Sequence, residues 1–222
     1  MEIREAIRQR HSVRAFRDEP VSRETLTALL EVARWSPSGV NSQPWRVEVV
    51  TGASLRRLVA ALVAACGEEA PVTPDYSYYP AAPLEPFDSR RRACGQGLHE
   101  TLGIRRDDAV ARREAWLANF RFFDAPAALL LFMDRRLGQG AWIDLGMFWQ
   151  SLMLAALAFG LGSCAQASIA SQPQLMRRHV GLGEENLFLG ALAVGYPDPD
   201  AAINRFRPGR EEVAGFARFH HE

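Results

Sequence analysis

Two arginines and a serine crowd residues 10–14, which read RHSVR. Arg10 and Arg14 lie four positions apart, so in helical or turn geometry their guanidinium groups face the same way. A guanidinium keeps its charge and offers forked donors, and the Ser12 hydroxyl adds another donor, so this set can hold a phosphate. Arginines at this spacing are more often a solvated helix face. The segment alone therefore leaves both interpretations open.

A second group of arginines lies near the end of the chain, in residues 204–210 (NRFRPGR). This group offers further cations for an anion, although a solvated basic terminus is the plain alternative. The sequence contains no lysine, so all 26 basic residues are arginines. Any phosphate site must therefore be built from arginines, backbone amides or hydroxyls.

Two further segments carry polar or small residues that suit a flat heterocycle. Residues 36–45 (SPSGVNSQPW) offer Ser, Asn and Gln side chains to ring edges, although a turn with hydroxyl caps would use the same residues. In residues 160–168 (GLGSCAQAS) small side chains let the backbone approach a ring, and Gln166 can donate to a ring atom. Close packing of a helix on a strand explains that segment equally well.

Hydrophobic periodicity predicts the elements that must position these segments. Helices are expected around Ile3 and Ile7, after Ser22 as N-cap with Leu26, Leu29, Leu30 and Ala33 facing inward, along Leu55, Leu58, Val59 and Leu62, and at about 107–119 and 142–159. Strands are expected at 45–50, 127–133 and 187–194. This mixed order of helices and strands predicts one α+β domain over residues 1–222.

Three regions stand out from this regular pattern. An irregular loop is predicted at about 71–90, rich in Pro and Tyr, and such a long loop is usually functional or disordered. A polar, arginine-rich extension is predicted at about 197–222. The helix at 142–159 is apolar nearly all round, so it must be covered on every side. We infer that a second copy of the chain helps to cover it.

Composition argues against several classes of partner. The chain balances 26 basic against 26 acidic residues, which favours neither nucleic acid nor an anionic membrane. The N-terminal residues lack the apolar core of a signal peptide, and three cysteines without CxxC spacing are typical of reduced cytoplasmic thiols. HExxH and GxSxG are absent from the sequence, so neither the chemistry of a zinc site nor that of a serine nucleophile is predicted.

Taken in order, the segments RHSVR, PSGVNSQPW, GLGSCAQAS and GYPDPDAAINRFRPGR resemble those of the nitroreductase family. Intervening stretches such as FFDAPAALLLFMD resemble its simple bacterial branch, and the resemblance covers essentially the whole chain. It implies an α+β nitroreductase-like fold, with a central, mostly antiparallel sheet flanked by helices. It also implies an intertwined homodimer with FMN at the interface.

The resemblance assigns cofactor-binding roles by position. It places the FMN phosphate and ribityl chain on Arg10, Ser12 and Arg14 with contacts from His11, and on Arg210, for which Arg207 is the rival. It places residues of the partner protomer against the flavin, namely Pro37, Ser38, Gly39 and Asn41, with Gln43 and Trp45 only shaping the motif. Near the reactive flavin N5 it places Ala165, Gln166 and Ala167. The Asn and Lys that some relatives carry near residues 70–75 have no counterpart here.

The function implied is reduction of nitroaromatics, quinones or similar electrophiles by NADH or NADPH, in a ping-pong hydride mechanism. No side chain is assigned a catalytic role, because the flavin performs the chemistry, and no metal is expected. The alternatives left open are a flavin-storing or flavin-sensing protein, an ene-reductase or dehalogenase-like relative, and a flavin-fragmenting relative that makes dimethylbenzimidazole.

Overall fold

The computed structural model describes residues 2–66 and 73–221. Eight α-helices and four strands lie in this part of the chain. The helices are α1 (Ile3–Gln9), α2 (Arg23–Ala33), α3 (Gly52–Ala65), α4 (Phe87–Thr101), α5 (Ala109–Leu117), α6 (Gly140–Ala158), α7 (Pro173–Val180) and α8 (Val213–Phe216). The strands are β1 (Arg46–Thr51), β2 (Ala127–Asp134), β3 (Gly162–Gln166) and β4 (Asn186–Gly195).

The strands form one antiparallel sheet in the order β1-β2-β4-β3. The two central strands are the continuous apolar runs of the sequence, and every residue of β4 is buried. An apolar run without alternation is explained by cover on both faces of the sheet. The predicted strands are therefore confirmed, and the observed α+β fold with its antiparallel sheet agrees with the predicted class.

Strand β2 shows how the two faces are covered. Leu129 and Leu131 pack with α2 and α6, while Leu130 and Phe132 pack with α3 and α7 on the opposite face. Successive side chains of a strand point to opposite faces, so one apolar run supplies both cores. The molecule thus has three layers, with helices on both sides of the sheet.

Helix α6 is the long apolar helix predicted from the sequence. It is long and apolar enough to cross a membrane by length and composition, a criterion that core helices of soluble proteins also meet. Here Leu145, Phe148 and Leu152 are buried in the core shared with α2. The helix ends just before Gly160, whose φ of +69° lies in the left-handed region that glycine tolerates.

Helix α2 has the predicted cap and inward face. The Ser22 hydroxyl accepts a hydrogen bond of 3.1 Å from the Thr25 amide, which satisfies a free amide of the first turn. Leu26, Leu29 and Ala33 are buried as expected.

Three sequence predictions need correction. The irregular loop does not extend to residue 90, because α4 begins at Phe87, and this helix was not predicted. Asp88 is the one fully buried residue of α4, so the helix lacks an apolar stripe. Strand β3 was also missed, because its small and polar residues carry no strand pattern and β4 alone makes it a strand. The helix predicted at 107–119 is α5, followed by a 3₁₀ segment, Ala118–Asp124.

Candidate functional site

The RHSVR segment lies along the outer edge of β3. The Val13 amide donates a 3.0 Å hydrogen bond to the Ser163 carbonyl, and Ser12 and Ser163 form a parallel bridge. Val13 is 2% exposed and rests on Gly162, where an added Cβ would come within 2.6 Å of the valine Cγ2 atom. Glycine at this position therefore allows the close approach that fixes the segment.

Asn204 joins the N-terminal segment to the C-terminal extension. Its Oδ1 accepts hydrogen bonds from the amides of Arg14 (2.8 Å) and Ala15 (3.2 Å), and its Nδ2 donates to the Ala15 and Asp198 carbonyls. The side chain is 8% exposed. This clamp brings together two segments that lie about 190 residues apart. It was not assigned from the sequence, where Asn204 was only part of the quoted terminal motif.

The clamp creates a cavity of about 820 Å³ between the two segments. Its polar lining consists mainly of residues predicted from the sequence, together with the rival arginine: Arg10, His11, Ser12, Arg14, Arg207 and Arg210. Both Arg207 and Arg210 therefore line the same cavity. The structure places the two arginine-containing segments at one site, as a shared phosphate site requires.

The charges of this cavity are not neutralised by acidic groups. Within the described residues, Arg10, Arg14, Arg207 and Arg210 form no salt bridge with a carboxylate. Burial and the neighbouring cation of Arg210 lower the pKa of Arg10. A cluster of this kind gains free energy when it binds an anion, because the mutual repulsion of its cations is relieved.

His11 lies among these cations. Its pKa is lowered by burial and by the charges of Arg207, Arg10 and Arg14, against a raising effect from the hydrogen bond between its Nδ1 and the Gln9 carbonyl. Burial and the surrounding cations therefore favour the neutral form of the ring. The arginines carry the positive charge of the site.

The next backbone groups along the same edge belong to Ala165. The N–H and C=O of one strand residue point to the same edge, and those of its neighbours point to the other. Because Ser163 accepts from Val13 at the outer edge, the Ala165 amide also points outward, and Ala165 is exposed. Ala167 follows just beyond the end of β3 and is half-buried.

Gln166 points the other way. Its side chain is 2% exposed, and its Nε2 donates a 2.7 Å hydrogen bond to the Asn119 carbonyl. The prediction that this amide donates to a bound ring is therefore corrected, because the side chain is turned into the protomer. By the same alternation, the backbone groups of Gln166 face β4 and not the outer edge.

The segment with Pro37, Ser38, Gly39 and Asn41 lies elsewhere in the protomer. The Gly39 amide donates to Asp144 Oδ1 at 3.1 Å, near the start of α6, and the Ser38 hydroxyl accepts from the Gln43 amide at 3.0 Å. The cavity beside β3 is instead lined by Leu157, near the end of the same helix. One protomer does not bring these four residues to the arginine cavity. A site containing both sets needs two protomers.

The Tyr-rich loop is anchored at the start of α6 as well. Tyr76 donates from its hydroxyl to the Leu189 carbonyl at 2.5 Å and packs edge-on against Trp142, with ring centroids 4.8 Å apart. Burial raises the pKa of Tyr76 to about 12. Tyr78 and Tyr79 are more than half exposed. Residues 71 and 72 of the predicted loop lie outside the described residues.

Asp75, which precedes that tyrosine, anchors the loop by charge. Its carboxylate accepts from Arg177 (2.6 Å), from Arg135 (2.7 Å) and from the Phe188 amide (2.9 Å). The Asp75 and Arg177 side chains are 6% and 2% exposed. Burial would raise the pKa of Asp75, but these hydrogen bonds outweigh it and hold the pKa below its usual value. No local sequence pattern indicates this pair, because its members lie 102 residues apart.

The fold and the arginine cavity define the class of protein. Residues 7–196 match the model of the nitroreductase family, and the chain belongs to that family.

Its relatives resemble it over nearly their full length. A chloronitrobenzene nitroreductase from Comamonas testosteroni is 36% identical, over 99% of this chain and 97% of the relative. The nitroreductase NfnB of Mycolicibacterium smegmatis is 37% identical, over 96% of this chain and 90% of the relative. The crystal structure of an FMN-dependent NfnB from Mycobacterium smegmatis in complex with NADPH superposes with a TM-score of 0.92, at 35% identity over 99% of this chain and 100% of that one.

Proposed function

We propose that the protein is an FMN-dependent oxidoreductase that uses NADH or NADPH to reduce nitroaromatics, quinones or similar electrophiles. The observation that carries this proposal is the cavity of about 820 Å³ beside β3, which is lined by five arginines that have no carboxylate partner among the described residues. Relatives named for reducing chloronitrobenzene and nitrobenzene, each 36% identical to this chain, support the choice of acceptors.

The residues of the cavity fit the phosphate end of FMN. Arg10, Arg207 and Arg210 supply fixed charges and forked donors for the phosphate dianion, and Ser12 adds a hydroxyl. Arg14 lies further in, with its guanidinium 6.0 Å from the Phe123 ring centroid. In this arrangement Arg14 serves the ribityl side of the cofactor. Both terminal arginines take part, so the two rival candidates of the sequence share one role.

The outer edge of β3 fits the flavin ring. The exposed Ala165 amide is a donor with a fixed direction, because strand pairing with β4 holds its backbone. The small side chains of Ala165 and Ala167 leave room for a planar ring against the strand edge. Bound FMN would supply the hydride chemistry, and the protein supplies position, charge and the outward amide.

A homodimer completes the site in this proposal. Pro37, Ser38, Gly39 and Asn41 would approach the flavin from the partner protomer. Large apolar side chains are exposed on α1, α6 and the C-terminal extension, namely Ile3, Ile7, Ile143, Phe216 and Phe219. Exposed apolar side chains of this size are typical of a surface that another chain covers. Light scattering of the flavin-loaded protein should give the dimer mass, and a flavin-loaded monomer would contradict this arrangement.

We place the enzyme in the cytoplasm. Its three cysteines, Cys66, Cys94 and Cys164, are all free thiols in the structure, which suits a reducing compartment. Fractionation of cells that express the chain without an added targeting segment would test the location.

Anaerobic stopped-flow absorbance tests the function directly. The purified protein should be yellow, with about one FMN per chain. Its flavin absorbance should be lost on mixing with NADH or NADPH and should return on mixing with a nitroaromatic or quinone. Bound flavin that no nicotinamide reduces would contradict the enzymatic proposal and would favour a flavin-storing protein. A protein without affinity for FMN would contradict both.

A further inference from the structure

A second basic recess lies at the junction of α4 and α5. It encloses about 550 Å³ and is lined by His99, Ala109, Trp116 and three arginines, Arg106, Arg112 and Arg113. None of its lining residues is acidic. A recess with several cations and no carboxylate is suited to an anion with more than one negative charge.

The two arginines nearest the junction, Arg106 and Arg112, lack acidic partners among the described residues, and Arg112 is also held by a hydrogen bond. Arg112 donates from Nη1 to the Arg106 carbonyl at 3.0 Å, which fixes its guanidinium beside that residue. In residues 2–66 and 73–221, neither Arg106 nor Arg112 pairs with a carboxylate within 4.0 Å. Arg105 differs, because Asp107 accepts two hydrogen bonds of 3.0 Å from it. The free charge therefore faces the recess.

The recess and the arginine cavity beside β3 both adjoin a third space. An apolar pocket of about 540 Å³ shares His99 and Trp116 with the recess, and it shares Arg14 with that cavity. The Trp116 side chain, 45% exposed, presents an aromatic face between them. A long ligand can therefore extend from the flavin side, past an aromatic ring, to a site for an anionic group.

We propose that this recess binds the 2′-phosphate of NADPH, with the adenine against Trp116, and thereby makes the enzyme select NADPH over NADH. The inference rests on the proposed function and specifies its reductant. A phosphomonoester carries nearly two charges at pH 7 and three acceptor oxygens, which match forked donors on Arg106 and Arg112. NADH has a neutral hydroxyl at the same place, so it gains nothing from these arginines.

Substitution of the two arginines tests the proposal on the FMN-loaded enzyme. Arg106→Gln and Arg112→Gln should each lower kcat/KM for NADPH by roughly ten- to a hundredfold, the range expected for a lost charge-assisted hydrogen bond, and should leave kcat/KM for NADH within roughly threefold. Arg105→Gln is the matched control, since its charge is already paired with Asp107, and it should preserve the preference for NADPH. Equal losses with both nicotinamides, or no loss with either, would overturn the proposal.

Inhibition by two nucleotides that differ in the 2′-phosphate tests whether the recess binds that group. Adenosine 2′,5′-bisphosphate should compete with NADPH in the unaltered holoenzyme. Its inhibition constant should be roughly tenfold or more higher for Arg112→Gln. Adenosine 5′-monophosphate should inhibit both proteins equally. If Arg112→Gln loses affinity for the two nucleotides equally, the recess does not bind the 2′-phosphate. Turnover with NADH or NADPH would still support the proposed function. If the holoenzyme oxidises neither nicotinamide, the proposed function fails, and calorimetric binding of the bisphosphate still tests the recess.

Discussion

The molecule contains two arginine clusters with opposite charge balance. Around Asp75, the guanidinium groups of Arg177 and Arg135 share one buried carboxylate. Beside β3, burial and the charge of Arg210 lower the pKa of Arg10, and no salt bridge to an acidic residue neutralises either arginine within the described chain. Carboxylates of the same protomer, Asp75 and Glu184, pair with the arginines of the first cluster, whereas no carboxylate of the described residues pairs with those of the second.

This difference separates stability from binding. A buried charge is tolerated when its partner is present, so the balanced cluster holds the start of the Tyr-rich loop against β4 and α7. A cluster of arginines without acidic partners that remains accessible to solvent can bind an anion. The repulsion among its cations lowers the stability of the folded protein. Substitutions in the first cluster should therefore affect unfolding, and substitutions in the second should affect the cofactor.

The largest expected effect comes from breaking the balanced cluster. Asp75→Ala removes the buried partner of Arg177, which is 2% exposed, and leaves it only the exposed carboxylate of Glu184, so we expect the free energy of unfolding to fall by about 3 kcal/mol. Urea unfolding measures this loss. Asp107→Ala removes an exposed partner of Arg105 and should cost far less, because solvent screens that pair. Similar losses in the two variants would show that Asp75 has no special role.

The pH dependence of stability follows from the same carboxylate. The pKa of Asp75 is lower in the folded protein than the roughly 3.9 of an unfolded chain, so its contribution is complete above that value and is lost as the pH falls through the folded pKa. As the pH is lowered from 5 to 2, the midpoint temperature of thermal unfolding should therefore fall more steeply for the unaltered protein than for Asp75→Asn. Parallel curves would mean that another group controls acid unfolding.

Removing one arginine of the unbalanced cluster should show the opposite pattern. Arg10→Ala deletes a charge-assisted phosphate contact of roughly 1.5–3 kcal/mol, so we expect FMN affinity to fall about ten- to a hundredfold. The apoprotein should unfold at the same urea concentration or a higher one, because a repulsion is removed. Arg4→Ala alters an exposed arginine of the preceding helix α1 and serves as control. Unchanged FMN affinity in Arg10→Ala would place the phosphate elsewhere.

The smallest expected effect concerns the loop that the balanced cluster anchors. Tyr76→Phe removes the hydrogen bond to the Leu189 carbonyl and should cost about 1 kcal/mol of stability. We also expect kcat/KM to change for nitroaromatics relative to quinones, with FMN content intact, because the loop presents Tyr78 and Tyr79 near the start of α6. Tyr79→Phe keeps the ring and breaks no recorded hydrogen bond, so it is the matched control. Identical acceptor kinetics in both variants would make the loop a simple connector.

Local pattern alone determined much of this protein. The apolar runs of β2 and β4, the all-apolar α6 and the Ser22 cap of α2 were readable because hydrophobic periodicity and capping depend on neighbouring residues. The resemblance of four ordered segments then indicated which arginines belong to one site. The structure places Arg10, Arg14, Arg207 and Arg210 around a single cavity.

Only the tertiary structure decided what depends on distant partners. Strand β3 exists because β4 pairs with it, and the direction of the Gln166 side chain follows from that pairing. The Asn204 clamp and the pairing of Asp75 with Arg177 join residues more than 100 positions apart, with no signal in local sequence. Such contacts form only when helices, strands and loops that are distant in sequence pack against each other. Their charge balance, which distinguishes a stabilising cluster from a binding one, exists only after the chain has folded.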